Sequence, residues 1–230
     1  MALYAIADLH FGFAVNKPMD IFGDNWKDHS QKIIKNWQDT VKEADTVLLP
    51  GDLSWGMREE EAAADLDVIY GLPGRKILLG GNHDYWWKSS SKLEHRYPGM
   101  RFLKNSHDAY ENFAVCGTRG WLSPNERSFT PADEKIYKRE QVRLRLSLNE
   151  AMRCGAEKII LMMHYPPMND KNEDSAFTEI FKEYPIKRVL YGHLHGKENH
   201  RNAFQGVKDG IPYELVAADY LEFKPKLILE

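Results

Sequence analysis

Seven side chains in this sequence are oxygen or imidazole donors, and they recur in short polar clusters along the chain. They are Asp8, His10, Asp52, Asn82, His164, His193 and His195. Carboxylate, amide and imidazole ligands without a thiolate are typical of sites for Zn, Fe, Mn and similar divalent ions. Two such ions ~3.5–4 Å apart need a shared anionic ligand, which a carboxylate supplies through its two oxygens. Asp52 lies in the middle cluster and is therefore the candidate bridge.

Each cluster is a weak signal alone, and only the combination is specific. Asp52 after Pro-Gly is more often a turn residue or a helix cap than a ligand. A single His164 would ordinarily be a buried, hydrogen-bonded structural residue. The pair His193 and His195 is more informative, because side chains two residues apart lie on the same side of an extended backbone. Five of the nine histidines fall in these clusters, so together the clusters predict a metal centre.

A short apolar run that is typical of a β-strand precedes each cluster. The five runs are residues 3–7, 46–49, 76–79, 158–163 and 188–191. In open α/β sheets, sites form beyond the carboxyl ends of the strands. If these strands lie side by side, all five clusters converge on one rim, although they are far apart along the chain.

Amphipathic stretches between the runs predict helices, and further apolar runs predict strands. We expect helices at 29–43, 57–70 and 176–184, and strands at 109–121, 213–217 and 226–230. The stretch 131–154 fits both patterns, because its Val and Leu residues alternate from 142 to 148 while Leu144, Leu148 and Ala151 share a helical face. Its good helix formers favour a long helix. This order predicts an α/β fold of layered sheets covered by helices, in one domain of residues 1–230, because no Ser/Gly-rich linker divides the chain.

Composition and charge narrow the class of protein. The 230 residues are 43% apolar and 28% charged with a net charge of −3, which argues against binding to long nucleic acid. No run of ~18 apolar residues predicts a membrane span. The apolar stretch 1–15 has no basic leader and is interrupted by Asp8 and His10, so a secretory signal is not expected. Cys116 and Cys154 are expected to be buried apolar residues in a reducing compartment, and the predicted location is cytoplasmic.

The order of the clusters resembles the signature motifs of the calcineurin-like metallophosphoesterase superfamily. The matching segments are Asp8-Leu9-His10, Gly51-Asp52, Gly81-Asn82-His83-Asp84, His164 and Gly192-His193-Leu194-His195. All five motifs occur in order between residues 8 and 195, about four fifths of the chain, which makes the match specific. The resemblance implies a four-layer α/β/β/α sandwich with a dimetal site at the carboxyl ends of the strands.

The resemblance also assigns the donors to two metal positions. The first metal ion would be bound by Asp8, His10, Asp52 and His195, and the second by Asp52, Asn82, His164 and His193. His83 would contact the phosphate and protonate the leaving oxygen rather than bind metal. Asp84 would orient His83 as a second catalytic residue, or it would cap the following helix, and the sequence leaves both open. These donor types accept Mn, Fe, Zn, Ni or Co and do not distinguish among them.

The implied activity is hydrolysis of a small phosphomonoester or phosphodiester, with a nucleotide as one candidate substrate. Two metal ions polarise the phosphoryl group and lower the pKa of a bridging water from ~16 towards ~7. A histidine that protonates the leaving oxygen contributes typically ~10²–10⁴-fold. Trp55 and Met57 occupy positions where protein serine/threonine phosphatases of this superfamily carry Asp and Arg, which argues against a protein substrate.

Side chains near the motifs are candidates for binding the substrate. The predicted set is Asn82, His83, Trp55, Tyr85 and Arg119. Aromatic rings in the motif loops could stack on a flat leaving group or seal the core beneath the loops. Arg119 could clamp a phosphate or form a surface salt bridge, and the loop 11–28 could cover the site.

Two other classes of function compete with a phosphoesterase of this kind. A protein-interaction scaffold of the same fold would have lost catalysis, and the complete set of donors together with His83 disfavours it. A nuclease is disfavoured because no basic stretch would follow a long phosphate backbone. The sequence does not determine the oligomeric state.

Overall fold

A computed structural model describes residues 1–125 and 128–230 of the chain. The strands of the described part are β1 Leu3–Ala5, β2 Thr46–Pro50, β3 Arg75–Leu79, β4 Arg101–Leu103, β5 His107–Tyr110, β6 Phe113–Thr118, β7 Ile159–Met163, β8 Ile186–Tyr191, β9 Gly206–Lys208, β10 Ile211–Leu215 and β11 Lys226–Leu229. The helices are α1 His29–Thr40, α2 Glu59–Gly71, α3 Ser90–Arg96, α4 Pro131–Arg153, α5 Ala176–Phe181 and α6 Gly196–Asn202. The five strands predicted before the polar clusters are therefore confirmed, and β1 is two residues shorter than predicted.

The strands form two mixed sheets. The first sheet has the order β11-β1-β2-β3-β4 and the second has the order β5-β6-β7-β8-β10-β9. Within each sheet the central strands are parallel, and the antiparallel strands β11, β5 and β9 lie at edges. Parallel strands point their carboxyl ends to one edge of a sheet, so β1, β2 and β3 end together, as do β7 and β8.

Three apolar clusters separate four layers. One cluster lies between the two sheets and includes Leu48 and Ile77 from the first sheet with Ile160 and Leu190 from the second. A second cluster packs α1 and α2 on the outer face of the first sheet. A third packs α4 and α5 on the outer face of the second sheet. The predicted four-layer α/β/β/α sandwich is therefore confirmed, and the strands buried on both faces explain the continuous apolar runs in the sequence.

The ambiguous stretch 131–154 is the long helix α4. Leu144 and Leu148 are fully buried against the second sheet, whereas Val142 and Leu146 are exposed by 58% and 47%. That pattern follows the helical period of 3.6 residues and not the strand period of two. Thr130 begins the helix through a capping box with Asp133, a local signal that satisfies free N–H groups of the first turn.

Two expectations from the bulk composition have different outcomes. Cys116 is buried as predicted, but Cys154 is exposed, because it follows the last residue of α4 and faces solvent there. The prediction that both cysteines are buried is therefore wrong for Cys154. Both thiols are free. Among the described residues, no helix combines the length and the apolar character that crossing a membrane requires.

Candidate metal centre

The donor residues lie in the turns that follow the parallel strands. Asp52 is the second residue after β2, His164 directly follows β7, and His193 is the second residue after β8. Asp8 follows β1 after a single parallel bridge between Ala7 and Ala217, and its N–H donates to the carbonyl of Gly51 at 2.9 Å. The clusters predicted to converge are therefore brought together at one edge of the two sheets.

Four of the donors have backbone conformations that non-glycine residues seldom adopt. The φ angles are 60° for Asp8, 45° for His10, 53° for Asp52 and 72° for His193. Such residues cost about 1–3 kcal/mol each and persist where the surrounding structure fixes them, commonly at functional sites. At these four residues the backbone departs from the extended conformation of the strand, and their side chains point toward the edge where the two donor groups lie.

Two glycines, Gly81 and Gly192, allow the loops that carry the donor residues to approach one another closely. A Cβ atom on Gly81 would collide with the Asp52 carboxylate, and one on Gly192 would collide with the Asp8 carboxylate. The glycines that precede Asn82 and His193 are therefore required by the close packing of the candidate donor loops against one another.

The first group of donors consists of Asp8, His10 and His195. One ligand atom from each lies within 4.8 Å of the others. The Nε2 atoms of His10 and His195 are 3.2 Å apart, and His195 Nε2 is 3.8 Å from Asp8 Oδ1. Nitrogen ligands ~2.0–2.1 Å from one tetrahedral ion lie about 3.3–3.4 Å apart, so the spacing of the two imidazoles fits a shared cation.

The second group consists of Asp52, His164 and His193, again with ligand atoms within 4.8 Å of one another. His164 Nε2 is 3.3 Å from Asp52 Oδ2 and 3.2 Å from His193 Nδ1. The amide oxygen of Asn82 is 2.7 Å from the same His164 nitrogen. The group therefore offers one carboxylate, two imidazoles and one amide oxygen around a common point.

Asp52 belongs to the second group and also faces the first. Its Oδ2 atom is 3.8 Å from His10 Nε2 in the first group and 3.3 Å from His164 Nε2 in the second. Its Oδ1 atom accepts a hydrogen bond of 2.8 Å from the backbone N–H of His83. One oxygen of Asp52 therefore faces both groups and the other is bonded to the protein, which differs from the expected use of both oxygens and keeps Asp52 as the candidate shared ligand. The donor chemistry of both groups fits divalent metal ions.

Burial and mutual charge shift the pKa values of these donors in different directions. Burial raises the pKa of Asp8 to about 6, against the opposing effect of His195 and His164. Burial also acts to raise the pKa of Asp52, but His164 and His10 outweigh it and hold that pKa well below its usual range. Burial together with His164 lowers the pKa of His193 to about 3. His193 is thus a neutral imidazole at neutral pH, the form that binds metal.

Hydrogen bonds behind the donors fix the orientation of the imidazoles. His164 Nδ1 is 3.1 Å from the carbonyl oxygen of Pro50, so Nδ1–H donates there and Nε2 faces the group. His195 Nδ1 is 3.0 Å from Asp219 Oδ1, and the backbone N–H of Gly196 donates to Asp219 Oδ2 at 2.9 Å. Asp219 is a buried carboxylate that sequence reasoning missed, because it lies 24 residues after His195 and in no motif. Carboxylates of this kind orient metal-binding histidines.

His83 lies beside both groups without belonging to either. Its ring centroid is 5.7 Å from that of His10 and 4.3 Å from that of Trp55. Trp55 in turn stacks on His10, with centroids 4.7 Å apart and an interplanar angle of 22°. The predicted catalytic histidine and the predicted aromatic substrate residue are therefore next to the candidate metal donors.

The carboxylate of Asp84 accepts hydrogen bonds from the loops around it and not from the ring of His83. It accepts hydrogen bonds from the backbone N–H groups of Leu53 at 3.0 Å, Ser54 at 3.3 Å and Gly81 at 2.8 Å. It also accepts one from the indole N–H of Trp86 at 3.1 Å. These contacts join the loop after β2 to the loop after β3, so they hold the two donor loops together.

The other predicted substrate residues are placed differently. Tyr85 is 54% exposed at the surface of the loop after β3. The guanidinium of Arg119 is 3.5 Å from the buried carboxylate of Glu140 and lies 4.7 Å from the centre of the Trp121 ring. Its salt-bridge alternative is therefore observed, with a buried partner, and its role as a phosphate clamp stays a prediction. Trp86 is fully buried, as the core-sealing alternative requires.

The loop 11–28 borders the first donor group. A cavity of about 400 Å³ between this loop and the start of α1 is lined by His10 and Lys17. Asp65 of α2 anchors the loop, because its carboxylate accepts the Phe13 backbone N–H at 2.8 Å and the Ser54 hydroxyl. The predicted covering loop is thus adjacent to the site and attached to the same helix as the loop after β2.

Comparison with known proteins agrees with the motifs and the geometry. Residues 1–197 match the model of the calcineurin-like phosphoesterase family. The Gene 66 protein of Mycobacterium phage L5 is 36% identical over 189 residues, which are 82% of this chain and 75% of that protein. A protein of Vesicomyosocius okutanii named probable cyclic nucleotide phosphodiesterase is 23% identical over 161 residues, 66% of this chain and 62% of that protein.

A solved structure shows the same fold at low sequence identity. Phosphopantetheinyl hydrolase from Mycobacterium tuberculosis has a TM-score of 0.57 and 13% identity, with 99% of this chain and 95% of that chain covered. The predicted resemblance is confirmed by the family match over most of the chain. This chain belongs to the calcineurin-like phosphoesterase family.

Proposed function

We propose that the protein is a dimetal phosphoesterase that hydrolyses a small phosphomonoester or phosphodiester. The observation that carries the proposal is that Asp52 Oδ2 lies 3.3 Å from His164 Nε2 in its own donor group and 3.8 Å from His10 Nε2 in the other. The family supports hydrolysis of phosphate esters in general. The names of two similar proteins, a probable cyclic nucleotide phosphodiesterase and a phosphopantetheinyl hydrolase, support a small substrate.

Each donor has a proposed role in binding metal. The first ion would be held by Asp8, His10, Asp52 and His195, and the second by Asp52, Asn82, His164 and His193. Two divalent ions of the Mn, Fe, Zn, Ni or Co type would polarise the phosphoryl group and supply hydroxide at neutral pH. The protein itself fixes the donors through Pro50 and Asp219 and keeps the site compact through Gly81 and Gly192.

The remaining chemistry belongs to His83 and its surroundings. We propose that His83 binds the phosphate with Asn82 and donates a proton to the leaving oxygen. Its backbone N–H bond to Asp52 fixes its position relative to both donor groups. Asp84 would act on His83 indirectly, by holding the loop after β3 in place, and Trp55 limits where the ring can move.

A direct test compares two esters under defined metal conditions. The protein would be assayed on a chromogenic phosphomonoester and a phosphodiester, with added Mn and with chelator. We expect metal-dependent turnover that falls at least ~10²-fold in Asp52→Asn and in His83→Ala. His95→Ala is the matched control, because His95 is an exposed histidine of α3.

The metal content separates the ways in which this test could fail. About two bound ions per chain in the wild type, and fewer in Asp52→Asn, are expected by elemental analysis. Turnover that is the same in the wild type and both variants would contradict the proposal. Turnover of neither ester under any metal condition, with two ions bound, would favour the scaffold of the same fold.

We also propose that residues 1–230 form one domain in the cytosol. The pairing of β11 with β1 joins the two ends of the described chain in one sheet and supports the single domain. The two free thiols support a reducing compartment.

A further inference from the structure

A second cavity adjoins the candidate metal centre. It has a volume of about 200 Å³. It lies between the loop after β6, the loop after β7 and the end of α6. His193 lines the cavity, and its Nδ1 atom is 3.2 Å from His164 Nε2 in the second donor group. A group bound in the cavity would therefore lie beside His193 of the second donor group.

The walls of this cavity are apolar and held in place. Met168 is buried, and Leu194 and Phe204 complete the apolar lining. The hydroxyl of Tyr191 donates to the Phe204 carbonyl oxygen at 2.6 Å, which ties the end of α6 to β8. The Tyr165 ring packs on His193 with centroids 3.9 Å apart. These walls suit a flat ring system inserted from the side of the metal centre.

The cavity wall also includes a buried polar atom that has no hydrogen-bond partner among the described residues. Ser123 is 2% exposed and lines the cavity, and within residues 1–125 and 128–230 its Oγ atom has no hydrogen-bond partner. A buried hydroxyl without a partner is unfavourable, so this atom points to a ligand that supplies one. At the mouth, the side-chain N–H groups of Asn172 and Asn199 donate to the carbonyl oxygens of Asn202 and His195, which places their amides around the opening.

We propose that this cavity binds the leaving group of the substrate, and that the group is an uncharged ring system of the nucleoside type. The inference rests on the proposed function and names the substrate class of that same site. Apolar walls bury the faces of a ring, while the Ser123 hydroxyl and the amides match the donor and acceptor atoms at the edge of a base. Among the described lining residues Asp170 carries the formal charge, which disfavours a second phosphate there.

The hydrolysis balances with this placement. Water adds its oxygen to phosphorus as the bond between phosphorus and the leaving oxygen breaks. His83 gives its proton to that oxygen, and the ring-bearing group leaves as a neutral alcohol. The remaining phosphate stays with the metal donors, and the proton lost by water restores His83. The released alcohol is the species that the cavity would retain, so it can be tested without turnover.

The test measures binding of adenosine and thymidine to the metal-loaded full chain by calorimetry. Ala203→Phe fills the cavity from the end of α6, and we expect at least ~10-fold weaker binding, a loss of ~1.4 kcal/mol. Ser123→Ala removes one hydrogen bond, and we expect about three- to tenfold weaker binding. Ala156→Phe is the matched control, because Ala156 lies before β7 at the opposite edge of the sheet in a different cavity.

A kinetic arm uses the same variants. The ratio of kcat/KM for a nucleoside monophosphate to that for methyl phosphate is expected to fall in Ala203→Phe and to stay unchanged in Ala156→Phe. Circular dichroism checks that both variants fold, and Ser123→Ala keeps the inference testable if Ala203→Phe does not fold. Nucleosides that fail to bind the wild type at millimolar concentration, or that bind all variants equally, would overturn the inference.

The outcome is distinguishable from a failure of the proposed function. Loss of metal-dependent hydrolysis on every ester would count against the phosphoesterase, whether or not nucleosides bind. Hydrolysis that proceeds while nucleosides do not bind would count against the cavity alone.

Discussion

At the residue scale, hydrogen bonds from backbone N–H groups hold the carboxylates of the candidate metal centre in place. Asp52 uses Oδ1 for the His83 N–H and directs Oδ2 between His10 and His164. Asp8 accepts the backbone N–H of His193 with its two oxygens at 3.1 and 2.9 Å, which fixes its carboxylate within the first group. Both carboxylates are held by backbone N–H groups, so no long flexible side chain has to become ordered to position them.

The Asp219 carboxylate leads to a prediction at the same scale. Asp219→Asn removes the negative charge that holds the His195 ring, and we expect metal affinity to fall about 10–100-fold. A competition titration against a fluorescent chelator would measure the affinity. Asp39→Asn is the control, because Asp39 is an exposed residue that pairs with Lys35 on α1. Equal affinity in Asp219→Asn and in the wild type would show that Asp219 does not orient a metal ligand.

At the scale of elements, local signals in the sequence predicted the long helix α4 together with α1, α2 and α5, and they missed some of the short elements. Thr130, Pro131 and Asp133 supply a start signal, and the buried face of α4 repeats over 23 residues. By contrast, α3 has seven residues and β4 has three, and neither was predicted. Elements of that length are held mainly by packing against the first sheet, because too few residues repeat to give a period.

The cap of α4 leads to a prediction about stability. Thr130→Ala removes the side-chain oxygen that accepts the Asp133 N–H, and we expect the free energy of unfolding to fall by ~1 kcal/mol. Urea unfolding followed by circular dichroism would measure the difference. Thr40→Ala is the matched control, since Thr40 is the last residue of α1 and not an N-cap. An equal loss in both variants would show that the cap does not account for the change.

At the scale of the whole molecule, one buried charge couples the sheet to the helical layer. Lys76 of β3 is 4% exposed, and its ammonium group donates to the carbonyl oxygens of Tyr70 and Leu72 at the end of α2. Burial lowers the pKa of Lys76 to about 8. The negative charge of Glu43 acts to raise this pKa, but burial outweighs it.

This lowered pKa predicts how stability depends on pH. The unfolded chain binds a proton at Lys76 up to its ordinary pKa near 10.5, whereas the folded protein releases it above about 8. Stability contributed by this residue therefore rises with pH between about 8 and 10.5.

Lys76→Met lacks the group that titrates, so its stability does not gain from this effect. Between about pH 8 and 10.5 we expect the free energy of unfolding of the wild type to increase by ~1–3 kcal/mol relative to that of the variant. Denaturant unfolding at several pH values would measure it, with the exposed Lys187→Met as control. A difference that stays constant with pH would contradict the prediction.

The sequence by itself determined the parts of this protein that depend on local patterns. The apolar runs predicted the five strands before the clusters, and the position of each donor after its strand predicted that the clusters would meet. The prediction succeeds because the carboxyl ends of parallel strands lie at one edge of a sheet. Residues that directly follow such strands are therefore close in space even when they are far apart along the chain. Residue type and order alone were also sufficient for the family, which the match over residues 1–197 confirms.

Only the tertiary structure decided which residues support the donors and where a substrate has room. Asp219 reaches His195 from 24 residues away, and Asp84 binds N–H groups of the loop after β2, 30 and 31 residues before it. Arg119 pairs with Glu140 and not with the donor groups. The cavity beside His193 is formed by the loops after β6 and β7 and by the end of α6, which are distant in sequence. Contacts of this kind depend on how whole layers pack, and no local propensity or spacing records them.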